Sequence, residues 1–327
     1  MTPVTGPSQH TAKKLTPSGF SHISVPVRDI EQSKRFFVEV LGGALVRDTP
    51  GFAEARFNNF IVGMSSRSGN PTAPTAEYPH YGFTVEPDQF LPLKLRLEAY
   101  GVPTHEPWTR HDDAEALMYF RDPSGNQFEM YCPKGFNKLP LRRGGRAGGD
   151  FFIDFPALGY RELRNPPSGA DVPKARVAGF NHMTIPVRDM YEGKRFLTEV
   201  LGGDVVLELA DHITVAVGGA QVGMAPMAGG WTAYDAEFPH YAFFVEPEDM
   251  VPLKERLESY GVPTHDIWTR NGIEALMYFR DPSGNLLELY CKSGFKDADK
   301  LPRGGAGGDY TIDFAALNYD RWKDPGK

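Results

Sequence analysis

The stretch that decides the fold is GFSHISVPVRDIEQSKRFFVEVLGG, which runs from Gly19 to Gly43. It recurs without a gap as GFNHMTIPVRDMYEGKRFLTEVLGG from Gly179 to Gly203, an offset of 160 residues. Self-similarity at a fixed distance is the signature of a repeated structural unit. The sequence therefore predicts one architecture built twice.

The repeat continues through most of the chain. EYPHY, from Glu77 to Tyr81, matches EFPHY, and MYFRDPSGNQFEMYC, from Met118 to Cys132, matches MYFRDPSGNLLELYC from Met277 to Cys291. We interpret the chain as a tandem duplication. The predicted organisation is a flexible N-terminal tail at 1–18, a first domain at 19–160, a linker at 161–178 and a second domain at 179–327.

Each half reads as two βαβββ units. A β-branched, alternating segment predicts a strand at Phe20–Val27, Asp29 is a candidate helix N-cap, and Gly42-Gly43 ends the helix. A second helix is expected from about Asp88 to Tyr100. The other strands expected in the first half are Ala44–Arg47, Ala53–Phe57, Ile61–Ser65, Tyr81–Val85, Ala116–Phe120 and Asn126–Tyr131. The predicted fold class is α+β, with four units forming two cup-like, barrel-like mixed sheets and helices outside.

Composition excludes several classes of function. The 327 residues are 41% apolar and carry a formal net charge of -7, which gives no cationic field for nucleic acid or anionic membranes. No apolar run approaches the ~20 residues that span a bilayer, and 1–18 lack an apolar signal core. We expect a cytoplasmic protein that binds neither nucleic acid nor membrane.

Groups that can bind a metal occur at equivalent positions of the two halves. Two imidazoles and one carboxylate form a facial triad, which leaves open coordination positions on Fe(II). A single strand histidine is more often a hydrogen-bonded structural residue, but three such groups at strand ends favour a metal site. The candidate ligands are His22, His80 and Glu129 in the first half and His182, His240 and Glu288 in the second.

These residues resemble the vicinal oxygen chelate (glyoxalase/bleomycin resistance/dioxygenase) superfamily and, within it, two-domain extradiol ring-cleaving dioxygenases. The resemblance covers nearly all of 19–160 and 179–319. The DPSGN pieces before Glu129 and Glu288 are widespread in that superfamily. A narrower match to the extradiol signature consists of Thr109, Arg110, His111, Met118, Tyr119, Asp122, Pro123, Gly125 and Glu129.

The resemblance implies a non-haem Fe(II) enzyme, with Mn(II) as the other metal to consider, that uses dioxygen to open the ring of a catechol or hydroquinone. It implies an acid/base role for His111 and hydrogen-bond donation by Tyr119 or Tyr278. Asn271 stands where His111 does and could form a hydrogen bond without shuttling a proton. Alternatively, His111 is an exposed loop residue and the tyrosines are packing aromatics.

Several alternatives stay open at this stage. The triads could form within each half, or crosswise, joining His22 with His240 and Glu288, and only one of them need be occupied. A glyoxalase-like or fosfomycin-resistance-like enzyme and a non-catalytic small-aromatic-binding protein are the competing functions. Duplicated cups of this type often associate, so we expect a homo-oligomer. His105 and His265 follow a helix end, where a polar residue is ordinary.

Overall fold

A computed structural model describes residues 14–58, 60–67, 69–110, 115–144, 149–226, 232–305 and 308–323. The strands of the first half are β1 (Gly19–Pro26), β2 (Ala44–Thr49), β3 (Phe52–Phe57), β4 (Phe60–Ser65), β5 (His80–Thr84), β6 (Trp108–Thr109), β7 (Ala116–Arg121), β8 (Gln127–Cys132) and β9 (Arg142–Arg143). Those of the second half are β10 (Gly179–Val187), β11 (Asp204–Glu208), β12 (Ile213–Val217), β13 (Ala220–Pro226), β14 (His240–Phe244), β15 (Ala275–Arg280) and β16 (Leu286–Cys291).

The helices lie where the sequence predicts them. They are α1 (Ile30–Lys34), α2 (Phe90–Ala99), α3 (Met190–Arg195) and α4 (Met250–Ser259), and α1 and α3 continue as π-helical turns at Arg35–Val40 and Phe196–Val200. Asp29 caps α1, because its carboxylate accepts from the backbone N–H groups of Glu31 and Gln32. Gly42 follows with a φ of 79°, a conformation that favours glycine. Among the described residues, no helix has the length and apolar character needed to cross a membrane.

The described strands form two mixed sheets, and each sheet takes strands from both halves. One sheet has the order β15-β16-β14-β1-β4-β3-β2, and the other has the order β11-β12-β13-β10-β5-β8-β7-β6-β9. The halves join where β1 runs antiparallel to β14 and where β10 runs antiparallel to β5. The α+β class with two mixed sheets is confirmed. The first βαβββ unit thus shares its sheet with the fourth, and the second with the third.

Repeat-related side chains meet where the halves join. The rings of Phe20 and Phe180 stack with centroids 4.6 Å apart, and Phe60 stacks on Phe180 at 4.4 Å. The hydroxyls of Tyr81 and Tyr241 lie 3.4 Å apart in the same buried region. Full burial of one aromatic side chain stabilises a fold by roughly 1.5–3 kcal/mol. A continuous apolar core therefore runs through both halves.

Candidate metal centres

The structure brings the six candidate ligands together as two crosswise triads. Site 1 consists of His22, His240 and Glu288, and site 2 consists of His80, His182 and Glu129. In each triad the possible ligand atoms lie within 4.8 Å of one another. The within-half arrangement, in which His22 would join His80, is not the one found. The sheet pairing of β1 with β14 and of β10 with β5 is the cause.

Strand register places each ligand. In site 1, His22 is paired across the sheet with Ala242, and Ala242 is paired with Glu288. His240 precedes Ala242 by two residues, so both side chains lie on one face of β14. The small side chain at the central position leaves room between the imidazole and the carboxylate. Site 2 has a glycine there, Gly82, where a Cβ would lie 2.4 Å from the His182 ring.

The distances within the triads suit a shared ion. The Nε2 atoms of His22 and His240 are 3.4 Å apart, and Glu288 Oε2 is 3.3 Å from each. In site 2 the two Nε2 atoms are 3.2 Å apart, with Glu129 Oε2 at 3.3 Å from His80 and 3.6 Å from His182. Two ligands about 2.1 Å from one ion at right angles are about 3 Å apart.

Neighbouring groups orient the imidazoles. The Nδ1 atoms of His80 and His240 lie 3.2 and 3.0 Å from the carbonyl oxygens of Glu77 and Glu237. A carbonyl can only accept, so each Nδ1 carries the proton and each Nε2 lone pair faces the triad. The Nδ1 atom of His22 lies 3.0 Å from Ser21 Oγ, and that of His182 lies 2.9 Å from Asn181 Oδ1.

The carboxylates supply the test of fit. Glu129 and Glu288 have no exposed surface, and Oε1 of both and Oε2 of Glu288 find no hydrogen-bond donor in the described part of the chain. Buried charged oxygens without partners are costly unless they are paired or coordinate a metal. A divalent cation between two imidazoles and a carboxylate would satisfy them. The residues of both sites therefore fit such an ion.

Protonation favours the ligand forms. Burial lowers the pKa of His80 to about 3 and that of His240 to about 4, so both rings are neutral near pH 7. Burial alone would raise the pKa of Glu129, but the charges of Arg110 and His182 outweigh it and lower the pKa to about 2. His22 and Arg270 act in the same way on Glu288, whose pKa also falls to about 2.

Tyr119 and Tyr278, predicted as hydrogen-bond donors, lie beside the triads. Their rings are buried, with centroids 5.2 Å from those of His80 and His240 respectively. Tyr119 Oη donates to Glu77 Oε1 at 3.0 Å, and Tyr278 Oη donates to Glu237 Oε1 at 3.4 Å. Burial raises the pKa of both tyrosines well above the ordinary value, so both keep their protons.

Sequence analysis assigned no role to one arginine and one glutamate at each site. Arg110 Nη2 lies 3.4 Å from Glu129 Oε2 and 3.4 Å from Tyr119 Oη. Arg270 Nη2 lies 3.9 Å from Glu288 Oε1 and 3.5 Å from Tyr278 Oη. The signal that could have found them is the repetition of TR after Trp108 and Trp268 and of the glutamate that opens EYPHY and EFPHY.

The two remaining catalytic predictions have different outcomes. His111 lies outside the described residues, so its role stays a prediction. Asn271 is exposed; its Nδ2 donates to Glu274 Oε2, and its Oδ1 accepts from the backbone N–H of Ile273. Asn271 does not line the cavity at site 1. The amide stabilises its own loop, and the catalytic role of Asn271 stays a prediction.

His105 and His265 have structural contacts. Nε2 of His105 accepts from the backbone N–H of Tyr119 at 2.9 Å, and Nε2 of His265 accepts from Tyr278 at the same distance. Their Nδ1 atoms donate to the carbonyls of Glu106 and Asp266. Both ring nitrogens are therefore occupied, and the two histidines hold the strands that carry the tyrosines.

Site 1 opens into a cavity of about 550 Å³. His22 and His240 lie in its wall, together with the aromatic side chains of Phe52, Trp268, Tyr310 and Phe314. Volumes of this order hold single-ring ligands. The arrangement offers a flat, apolar ring a place beside an open metal position.

Comparison with known proteins identifies the family. Residues 19–130 and 179–289 each match the family model for the Glyoxalase/Bleomycin resistance protein/Dioxygenase superfamily. Together these matches cover more than half of the chain. The chain belongs to this superfamily. The resemblance inferred from the sequence motifs is confirmed, and the duplication divides the superfamily match into two copies.

Superfamily relatives differ in their reactions. Glutathione transferase FosA of Serratia marcescens is 32% identical over 113 residues, which are 34% of this chain and 78% of that protein. Catechol-2,3-dioxygenase of Bacillus subtilis (strain 168) is 26% identical over 196 residues, 57% of this chain and 65% of that protein.

Two solved structures share the fold over most of the chain. A candidate dioxygenase from Bacillus subtilis subsp. subtilis str. 168 has a TM-score of 0.61 at 20% identity, covering 88% of this chain and 92% of that one. Glyoxalase I from Zea mays has a TM-score of 0.57 at 13% identity, covering 84% and 92%. At these identities the likeness shows the fold alone.

Proposed function

We propose that the protein is a non-haem Fe(II)-dependent dioxygenase that opens the ring of a catechol or hydroquinone at site 1. The observation that supports it most is a two-histidine, one-glutamate triad at the wall of a cavity lined by aromatic rings. Mn(II) is the alternative metal. The proposed partners are a small diphenol and dioxygen.

A ferrous ion bound by the triad supplies Lewis acidity toward a phenol oxygen and an electron partner for dioxygen. The chain contributes the rest of the site. Trp268 and Phe314 form flat apolar walls that orient an aromatic ring. The half-buried Arg270 guanidinium stabilises negative charge beside the triad, because it lies near Glu288 and Tyr278.

In this proposal Tyr278 is the hydrogen-bond donor of site 1. Its hydroxyl is protonated and lies between Arg270 and Glu237. The hydrogen bond from the backbone N–H of Tyr278 to His265 Nε2 helps to position the residue. A hydroxyl in this setting can donate a hydrogen bond to a ring oxygen that becomes negative. Glu237 receives the hydrogen bond when no substrate is bound.

Glutathione-dependent transfer is the second candidate, and the 32% identity to FosA favours it. The glyoxalase-like alternative is less well supported. Among the described residues each triad stands as a group of three, without a fourth carboxylate or thiol ligand. Thiol consumption without dioxygen would support the transferase.

The test combines metal analysis with two matched substitutions. Protein loaded anaerobically with Fe(II) should consume dioxygen with at least one member of a panel of catechols and hydroquinones and give an absorbing ring-fission product. We expect Glu288→Ala to abolish this activity and remove the metal of site 1, since it removes one of the three proposed ligands. Glu129→Ala, the same change at site 2, should retain activity.

Three outcomes would contradict the proposal. No dioxygen uptake across the panel after Fe(II) loading would count against the dioxygenase. Activity that survives Glu288→Ala but is lost in Glu129→Ala would move the reaction to site 2. Equal metal content in wild type and Glu288→Ala would show that site 1 is not a metal site.

A further inference from the structure

The two sites face different walls, although their ligands are equivalent. The wall of site 1 includes the β2–β3 hairpin, with Arg47, Phe52 and Glu54 at the cavity. The equivalent β11–β12 hairpin carries Leu207, His212 and Thr214. Arg47 is paired with Glu54 across its hairpin as Leu207 is paired with Thr214. Identical register with different chemistry marks these positions as determinants of what each site accepts.

Among the described residues, the Arg47 guanidinium keeps N–H donors that a ligand could use. Its side chain is 40% exposed, and its nearest acidic partner, Glu54, is 3.8 Å away, beyond hydrogen-bond distance. Its guanidinium lies 5.2 Å from the centroid of the Phe52 ring. The Phe52 ring and the long ion pair with Glu54 orient the Arg47 guanidinium. Its paired N–H groups are therefore placed to bind a carboxylate through two hydrogen bonds.

The other cations of the cavity are engaged elsewhere. Arg67 Nη1 forms a 3.0 Å ion pair with Glu237, and Arg270 Nη2 donates to Tyr278 Oη at 3.5 Å. Counting Arg47, site 1 has three arginines against the glutamates 54, 237 and 288. The equivalent positions of site 2 hold one arginine, Arg110, and two glutamates. With one divalent ion bound at each site, site 1 would therefore have a more positive net charge than site 2.

We propose that the substrate of site 1 is a diphenol bearing a carboxylate, and that Arg47 binds this carboxylate. The inference rests on the proposed function for its diphenol part, whereas the anion-binding part stands on the hairpin alone. Arg47 is a specificity-determining residue here, since it lies on the cavity wall and is not a ligand of the triad.

The test is equilibrium binding to Fe(II)-loaded protein under argon. The probes are gentisate, a hydroquinone with one carboxylate, unsubstituted hydroquinone, and benzoate, which has the carboxylate but no hydroxyl. Loss of a charged hydrogen-bonded pair is expected to weaken gentisate and benzoate binding about 10- to 100-fold in Arg47→Leu. Hydroquinone binding should change less than about 2-fold, because it makes no such contact.

Arg47→Leu installs the residue that the other repeat has at this position, so the hairpin should tolerate it. Arg56→Leu is the matched control, because Arg56 is an exposed cation of β3 that does not line the cavity. Arg47→Lys should recover part of the affinity by retaining the charge. Thermal melting checks that each variant is folded.

The outcomes separate this inference from the proposed function. Equal affinity of wild type and Arg47→Leu for benzoate and gentisate would overturn the role of Arg47, and so would an equal loss for hydroquinone. If benzoate and gentisate bind through Arg47 but no diphenol causes dioxygen uptake, the proposed reaction fails and the anion site stands. If benzoate shows no binding to wild type, the inference fails.

Discussion

Tyr278 lies between the triad of site 1 and the charged residues that line the cavity. Its hydroxyl lies between Arg270, which approaches the Glu288 ligand, and Glu237, which forms an ion pair with Arg67. In site 2 the equivalent chain runs through Arg110, Tyr119 and Glu77. The sequence has Met227 where the first repeat has Arg67. The Tyr278 hydroxyl therefore links Arg270, beside the triad, to the Arg67–Glu237 ion pair at site 1.

Replacing Tyr278 with phenylalanine should lower kcat for diphenol cleavage about 10- to 100-fold, because a positioned proton donor is lost. KM and metal content should change little, since the ring and the triad remain. Steady-state dioxygen uptake and elemental analysis measure both. Tyr119→Phe is the matched control at site 2, and an equal fall in its kcat would contradict the assignment of catalysis to site 1.

The buried histidines predict an acid-sensitive apoprotein. The folded-state pKa values of His80, about 3, and His240, about 4, lie below the ordinary value of 6.5. The unfolded chain therefore binds more protons than the folded one below pH 6.5, and the free energy of unfolding falls as the pH falls toward these values. Each histidine contributes a slope of roughly 1 kcal/mol per pH unit.

The glutamates of the two triads act in the same direction at lower pH. Their pKa values, about 2 for Glu129 and Glu288, lie below 4.5, so their contribution is present above pH 4.5 and is lost as the pH falls toward 2. Urea unfolding of chelator-treated protein from about pH 7.5 to about pH 4.5 measures the slope that the histidines contribute. His80→Gln should flatten it, and a pH-independent stability would contradict the prediction.

At the scale of single residues, the sequence indicated the candidate ligands but not the arginines that lie beside them. Imidazoles and carboxylates at strand ends are recognisable as ligand types. Arg110 and Arg270 follow a tryptophan in loops, where an arginine normally reads as solvated. Their location against Glu129 and Glu288 arises from the way each repeat unit folds back on itself, and the repeated TR does not by itself specify that contact.

The end of β15 shows how one strand positions a ligand on another. Arg280 is fully buried, and its guanidinium donates to carbonyls of the segment that leads to His240. It also donates to Gly284 O at 2.6 Å. Arg121 forms the equivalent bonds to the segment before His80. Each arginine therefore holds the approach to one site.

Arg280→Met should destabilise the fold by about 3–5 kcal/mol, because several buried carbonyls lose their donor. The same change should weaken metal binding at site 1 while sparing site 2, and Arg121→Met should do the reverse. Urea unfolding and metal titration of each variant test this. Arg56→Met, on an exposed position, is the control; metal loss at both sites in either variant would contradict the assignment.

Element boundaries were readily predicted, whereas the pairing of elements was not. Alternation and β-branched residues placed the first strand at Phe20–Val27, and β1 spans Gly19–Pro26. The Asp29 cap is likewise local. The choice of β14 as the neighbour of β1 depends on backbone hydrogen bonds between strands more than two hundred residues apart. The alternation of β1 would be the same beside either candidate neighbour, so the crosswise sites could not be derived.

At the scale of the molecule, the two halves depend on each other. A chain cut between Ala170 and Asp171 would leave β1 without β14 and β5 without β10, and would expose the Phe20 and Phe180 stack. Each half expressed alone should therefore aggregate or self-associate. Co-expressed halves should copurify and bind metal. A monomeric half that binds metal as tightly as the whole chain, judged by light scattering and metal titration, would contradict this.

An arginine on a helix holds each of two connecting segments, one before the first half and one between the halves. Arg256 on α4 donates to Leu15 O at 2.8 Å, and Arg96 on α2 donates to Pro173 O at 2.9 Å. The backbone N–H groups of Arg164 and Lys323 also donate to the carbonyls of the residues that follow these helices, Tyr100 and Tyr260. We therefore expect the order of the two halves along the chain not to change the architecture. A circular permutant opened near Ala170, with its old ends joined by a peptide as long as the natural connection, should fold to the same architecture.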